Sequence, residues 1–271
     1  MLCDYHLHSE FSFDSSEKIE NICRKAIEEE ISEIAITDHA EFPLHEKAPW
    51  PDFEKRSEII SECSRQFENK LIIREGIEIG QPWRNIVPDS LPMSFRPDFV
   101  IASVHEIDGF PDPRTINYSE DIIPGFIETY LTQMTEMAEN CDYDVLGHVT
   151  YLFRFIPEDL ASRFRPESFL DQYERLFRAV ILRGKGIEVN CSGLRMPSIK
   201  NLLPSAQLLR LYKELGGTVI TVGSDGHSCH SAFSGITEGY RELIFLAAIG
   251  RSERFYRKNQ EALCRSRGIR Q

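Results

Sequence analysis

Short apolar, largely β-branched runs recur along the chain: LCDYHLH (2–8), ISEIAITDH (31–39), LIIREGIEIG (71–80), PDFVIASVHE (97–106), DYDVLGHVT (142–150), GIEVNCSG (186–193) and TVITVGSDGH (218–227). Each reads as a largely buried strand. Between most of them lie stretches with apolar residues at helical spacing: SSEKIENICRKAIEEE (15–30), FEKRSEIISECSRQFEN (53–69), EDIIPGFIETYLTQMTEMAEN (120–140), PESFLDQYERLFRAVILRG (166–184) and SAQLLRLYKELGG (205–217). Ser15 or Ser16 is placed to cap the first of these helices, and the Gly216-Gly217 pair to end the last. The segment EGYRELIFLAAIGRSERFYRKNQEALCR (238–265) predicts one or two closing helices.

Strand and helix in alternation imply parallel strands joined by right-handed crossovers. Seven such repeats favour a closed barrel over an open sheet, so the expected fold is α/β, a distorted (β/α)7 barrel of TIM-barrel type. No Gly/Ser/Pro-rich linker or repeat divides the chain, and 271 residues are enough for one large core. The expectation is a single domain over residues 1–271.

Composition is that of an ordinary folded protein, with 41% hydrophobic and 27% charged residues. The formal charge of −12 disfavours nucleic acid and anionic membranes as partners, because both reward clustered Lys and Arg. A small ligand is the expected partner. The seven cysteines, Cys3, Cys23, Cys63, Cys141, Cys191, Cys229 and Cys264, are odd in number and form no CxxC pair. With no signal peptide or long apolar run, they suit reduced thiols in a cytoplasm.

The predicted strands do not end in simple turn residues. At their C-terminal ends stand His6 and His8, Asp38 and His39, Glu78, His105, His148, Glu188 and Asn190, and Asp225 and His227. In a parallel α/β barrel these ends share one rim, where active sites are built. A lone strand-end histidine is more often a structural residue, but residues two apart on a strand face the same side. His6 and His8 can therefore reach one ion while Leu7 packs away from it. Imidazoles and carboxylates crowded on one rim are expensive to desolvate unless divalent cations satisfy them together. Imidazole and carboxylate without thiolate suit zinc, manganese or iron.

In order along the chain, DYHLHSEFSFDS, EIAITDH, GIEIG, VIASVHEIDG, DVLGHVTYLFRF, IEVNCSGLR and VGSDGHS resemble the motifs of the polymerase and histidinol phosphatase (PHP) superfamily of metal-dependent phosphoesterases. The likeness is strongest to the histidinol-phosphatase branch, and it is less specific after Gly235. It implies a trinuclear site of three divalent ions. One would be held by His6, His8, Glu78 and Asp225, a second by Glu78 as a bridge with His105 and His148, and a third by Asp14, His39 and His227. At position 14 many members of the superfamily carry His. A hydroxide held between two ions would be the nucleophile.

The reaction so implied is hydrolysis of L-histidinol phosphate to L-histidinol and phosphate, a step of histidine biosynthesis. Alternatives are a phosphoesterase for another small phosphate ester or a nucleotide, and a noncatalytic metal-binding module. Three carboxylates, neutral imidazoles and three divalent ions leave the site net positive by about three, which draws in a phosphate ester and holds inorganic phosphate. Arg195 and Arg154 are the expected phosphate grips, a task suited to the guanidinium fork. His230 is a candidate contact to leaving group or phosphate, whereas His45 reads as a loop residue. Asp225 and Arg195 are the candidate catalytic residues. Asp38 reads as orienting a neighbour, Glu188 and Asn190 as shaping the rim, and the faces of FLDQYERLF and LLRLYKEL as packing surfaces.

Overall fold

The computed structural model describes residues 1–42, 49–84 and 95–249. His45 lies outside them, as does the second half of the predicted closing segment. Eight strands are described: β1 (Leu2–Leu7), β2 (Ile31–Ile36), β3 (His39–Glu41), β4 (Ile72–Gly80), β5 (Phe99–Ser103), β6 (Val145–Leu146), β7 (Gly186–Asn190) and β8 (Ile220–Gly223). They pair in parallel in the order β1-β2-β4-β5-β6-β7-β8, with β3 also on β4. The predicted second strand is therefore split. Its two halves keep one register, since Ile36 faces Glu75 and His39 faces Glu78. Thr37 and Asp38 form the break, and their polar side chains are buried.

The sheet nearly closes into the expected barrel. β1 and β8 lie side by side, and the chain just beyond their C-terminal ends closes the seam, where Asp225 N donates to His6 O (2.9 Å) and His8 N donates to Gly226 O (2.9 Å). The pairing of β1 with β2 shifts register between Asp4 and Leu7. Such an irregularity re-aims side chains. Tyr5 packs on Phe99 (5.1 Å between rings) and His6 meets Glu78 (3.1 Å), so adjacent residues both meet groups on facing strands.

The main helices are α1 (Ile19–Glu28), α2 (Phe53–Gln66), α3 (Ile123–Asn140), α4 (Glu158–Ala161), α5 (Leu170–Leu182), α6 (Ala206–Glu214) and α7 (Ile236–Ile249). α1 buries Ile19, Ile22, Cys23 and Ala26, the i, i+3, i+4, i+7 stripe of a helix laid on a sheet. Neither Ser15 nor Ser16 caps it: Lys18 occupies the cap position and makes no side-chain cap bond. Ser15 Oγ instead reaches the carbonyls of His227 (2.9 Å) and His8 (3.3 Å), tying the β1 loop to the β8 loop. Asp52 caps α2 through Lys55 N (3.1 Å). Gly216, in the left-handed region at φ 97, ends α6 as expected. One hydrophobic cluster runs from α1 to α7 around the sheet, taking in Tyr173, Phe177 and Tyr212 of the two predicted packing faces. A smaller cluster of Ala35, Phe99, Ile101 and Val145 packs separately, with Tyr5 and Val219 against it.

Candidate metal centre

Glu78 is the hub of the rim. It enters from β4, is fully buried, and lies within 3.5 Å of five imidazoles: His6 Nε2 (3.1 Å), His8 Nε2 (3.5 Å), His39 Nδ1 (3.0 Å), His105 Nε2 (3.3 Å) and His148 Nε2 (2.9 Å). Ser103 Oγ donates to its Oε1 (2.6 Å). The approach depends on Gly147, where a Cβ would meet Ser103 Oγ at 2.4 Å. Asp225 stands opposite at φ 55, a left-handed conformation that Asp tolerates better than most residues. Its Oδ1 is 3.5 Å from His8 Nε2 and 3.6 Å from His227 Nδ1. Asp14, at the outer edge, is 3.1 Å from His227 Nε2 and 3.5 Å from His39 Nε2.

All nine predicted ligands are brought together. Their donor atoms form four overlapping groups: His8, Asp14, His39 and His227; His6, Glu78 and His148; His6, His8 and Asp225; and His39, Glu78 and His105. This division differs in detail from the one implied by resemblance, with Glu78 placed between a His6/His148 side and a His39/His105 side.

The electrostatics fit cations. Burial alone would raise Glu78, but His6, His39 and His105 outweigh it and hold the carboxyl well below the usual range. Asp225 is held low against burial by His6, His8 and His227. Burial would lower His6, His39 and His105, but their carboxylate neighbours raise them instead. For His8, burial and then His227 and His39 act together to hold it well below the ordinary imidazole range. A neutral His8 then presents a bare nitrogen: its buried Nε2 has no hydrogen-bond partner among the described residues. An orphaned imidazole nitrogen beside Glu78 and Asp225 is the donor arrangement that a divalent ion satisfies.

Further carboxylates aim the imidazoles from behind. Glu188 Oε1 lies 2.6 Å from His6 Nδ1, and its Oε2 accepts from His148 N (2.9 Å) and Asn190 Nδ2 (3.1 Å). Glu41 Oε1 is 2.8 Å from His105 Nδ1 and 3.1 Å from His39 Nδ1, while Gln81 Nε2 donates to its Oε2 (3.1 Å). For His6 and His105 such partners fix the ring and its tautomer; His39 Nδ1 makes no hydrogen bond among the described residues. Glu41 and Gln81 were not singled out from the sequence. The signal for Glu41 is its place two residues after His39, on the same face of the strand.

A cavity of about 350 Å³ opens on the cluster, lined by Asp14, His39, Glu78, His105, His148 and Asp225 among others. Arg154 and Arg195 are both on its wall. The Arg154 guanidinium lies over Tyr151 (4.9 Å) and Phe155 (5.4 Å). Arg195 Nη2 donates to the carbonyls of Ser224 (2.8 Å) and Asp225 (3.2 Å), and Nη1 to that of Ser234 (3.4 Å). His230 is exposed and is not among the lining residues.

A family profile described as the PHP domain matches residues 4–192. The chain belongs to the PHP domain family. Among PHP relatives, histidinol-phosphatase of Lactococcus lactis subsp. lactis (strain IL1403) is 33% identical over 262 residues, covering 89% of this chain and 92% of that protein. The crystal structure of histidinol phosphate phosphatase from Lactococcus lactis, complexed with zinc, L-histidinol and phosphate, is similar with a TM-score of 0.72. It is 25% identical and covers 90% of this chain and 93% of that one. A Listeria monocytogenes structure, 18% identical, shares the fold with a TM-score of 0.69 over 87% of this chain and 99% of its own. Among the described residues no helix is long and apolar enough to cross a membrane.

Proposed function

We propose that this PHP-domain protein is a phosphoric monoester hydrolase that uses divalent metal and hydrolyses L-histidinol phosphate to L-histidinol and phosphate. The observation that carries the reading is Glu78 among five imidazoles at the floor of a cavity whose wall bears two arginines. A relative similar over most of both chains binds zinc, L-histidinol and phosphate. We take residues 1–271 as one domain and the cytoplasm as its setting.

The ligands are His6, His8, Asp14, His39, Glu78, His105, His148, Asp225 and His227, enough for three ions, with zinc favoured over manganese and iron because the similar structure holds zinc. Divalent ions bound there would polarise the phosphoryl oxygens and make water a stronger acid. The chain's own residues do the rest. Arg195, pinned by backbone carbonyls on one side, keeps its remaining N–H groups for the phosphate oxygens, where negative charge concentrates in the transition state. Arg154, held over Tyr151 and Phe155, grips the phosphate from another side. Asp225, kept ionised by its imidazole neighbours, accepts a hydrogen bond from the attacking water and orients it in line with the leaving oxygen; as the new P–O bond forms the old one breaks, and the departing alkoxide takes a proton from solvent to give the alcohol. The cavity volume suits a substrate of this size.

A panel of phosphomonoesters and nucleotides, offered to the metal-loaded protein, tests the assignment. Histidinol phosphate should give the highest kcat/KM. A strong preference for another ester would overturn the substrate, and absence of phosphate release from every ester would overturn the enzymatic reading.

A further inference from the structure

Arg56 is fully buried on the inner face of α2, outside the set of residues that face the cavity. Burying a guanidinium costs several kcal/mol unless it is paired, so its partners say what it is for. Nη1 donates to Asp38 Oδ2 (3.3 Å), Nη2 donates to Gly76 O (2.6 Å) and lies 3.6 Å from Glu75 Oε1, and the group lies against the rings of Phe53 and Phe95.

Asp38 has every acceptor position used. Its Oδ1 takes Ser9 N (2.6 Å) and Ser12 Oγ (3.1 Å), and its Oδ2 takes Ser9 Oγ (2.8 Å) and Arg56 Nη1 (3.3 Å). A carboxylate only accepts, so the Ser12 hydroxyl must spend its single proton on Asp38. Ser12 Oγ can then only accept from its two other neighbours, His39 N (3.0 Å) and His8 Nδ1 (3.1 Å). A hydroxyl has one donor and two acceptor positions, and all three are filled. His8 must therefore carry its proton on Nδ1, which leaves Nε2 bare and aimed at Glu78 and Asp225.

We infer that Arg56 is a positioning residue: through Asp38 and Ser12 it sets the tautomer of His8 and the placement of the loop that carries Asp14. The backbone joins in, because Asp38 O accepts from Glu78 N (3.2 Å) and His39 follows Asp38 directly. One buried cation thus anchors one end of a hydrogen-bond relay whose other end is a metal-facing nitrogen. The inference deepens the metal reading and rests on His8 as a ligand.

The test titrates metal-free full-length protein with Co²⁺, following visible ligand-field absorption, with circular dichroism and thermal unfolding as the check on folding. Arg56→Met should stay folded yet bind Co²⁺ about 10–100-fold more weakly with an altered band, the range typical of residues that orient ligands. Arg56→Lys should recover part of the affinity. Ser12→Ala, with Arg56 intact, should reproduce the loss and decides the matter if Arg56→Met fails to fold. Ile60→Val, one turn along the same buried face, should lower stability and leave Co²⁺ binding at the wild-type level. Folded Arg56→Met or Ser12→Ala with wild-type affinity and spectrum overturns the relay alone. Failure of the wild-type chain to take up Co²⁺ overturns the metal reading and the relay with it.

Discussion

Replacing Arg195 with alanine separates substrate binding from metal binding at this site. Of its five N–H groups, three are engaged with the carbonyls of Ser224, Asp225 and Ser234, which leaves two for a phosphate. A hydrogen bond between charged partners contributes about 1.5–3 kcal/mol. Loss of one such bond lowers kcat/KM by roughly 10–150-fold, and loss of both sets a ceiling near the square of that. The contacts to Ser224 and Asp225 are to backbone oxygens, and the imidazoles around the Asp225 carboxylate remain, so bound metal should not change. Steady-state kinetics on histidinol phosphate, inhibition by inorganic phosphate and elemental analysis of the same preparation measure all three quantities. Arg195→Lys should recover little, because a compact ammonium lacks the planar fork that spans backbone carbonyls on one side and a phosphate on the other. Wild-type kcat/KM and phosphate inhibition in Arg195→Ala would refute the reasoning, as would metal loss that accounts for the whole decline.

Three further outcomes follow from neighbouring parts of the site. Glu188→Gln places an amide N–H₂ where His6 Nδ1 or His148 N now finds an acceptor, so metal affinity or kcat should fall about 10–100-fold; elemental analysis and kinetics after dialysis check it. Gly147→Ala drives a methyl into Ser103 Oγ and Ile101 Cγ2, an overpacking that should cost about 1–3 kcal/mol in urea unfolding and loosen Glu78; an unchanged midpoint would contradict the tight approach. The metal-free site holds His6, His39 and His105 above their ordinary value of 6.5 through adjacent carboxylates. Ion binding must expel those protons, so affinity and the rise in Tm on adding zinc should both increase from pH 6 to pH 8. The same pairs stabilise the metal-free protein below the ordinary imidazole range and lose that contribution as pH rises through the folded-state values. A metal-induced shift in Tm that falls as pH rises would contradict the assignment.

The parts of the site legible in the sequence are those that depend on strand polarity. Once seven runs read as parallel strands, His6, His8, Glu78, His105 and His148 had to share a rim, whatever their separation along the chain. Asp14 was less accessible, since it sits beyond a strand on a loop, and resemblance rather than periodicity pointed to it. The register shift in β1 was hidden because a bulge depends on the neighbouring strand. The break at Thr37 and Asp38 was hidden for a related reason: a polar pair inside an apolar run reads as a strand end, and only pairing with β4 shows the strand resuming. Glu41 and Arg56 escaped for a third reason. Each is a charged residue on a face its neighbours bury, and what compensates the charge comes from far along the chain: His105 for Glu41, Gly76 and the Phe95 ring for Arg56.

If ions gathered by these nine side chains enable hydrolysis of the phosphate ester, activity must follow bound metal. The most direct measurement is phosphate release from histidinol phosphate by metal-free protein as Zn²⁺ or Mn²⁺ is added back in counted equivalents. Phosphate release should be nil at zero metal and should climb with bound ion to a plateau by three equivalents. Full activity in demonstrably metal-free protein, or none at saturation, would contradict that dependence.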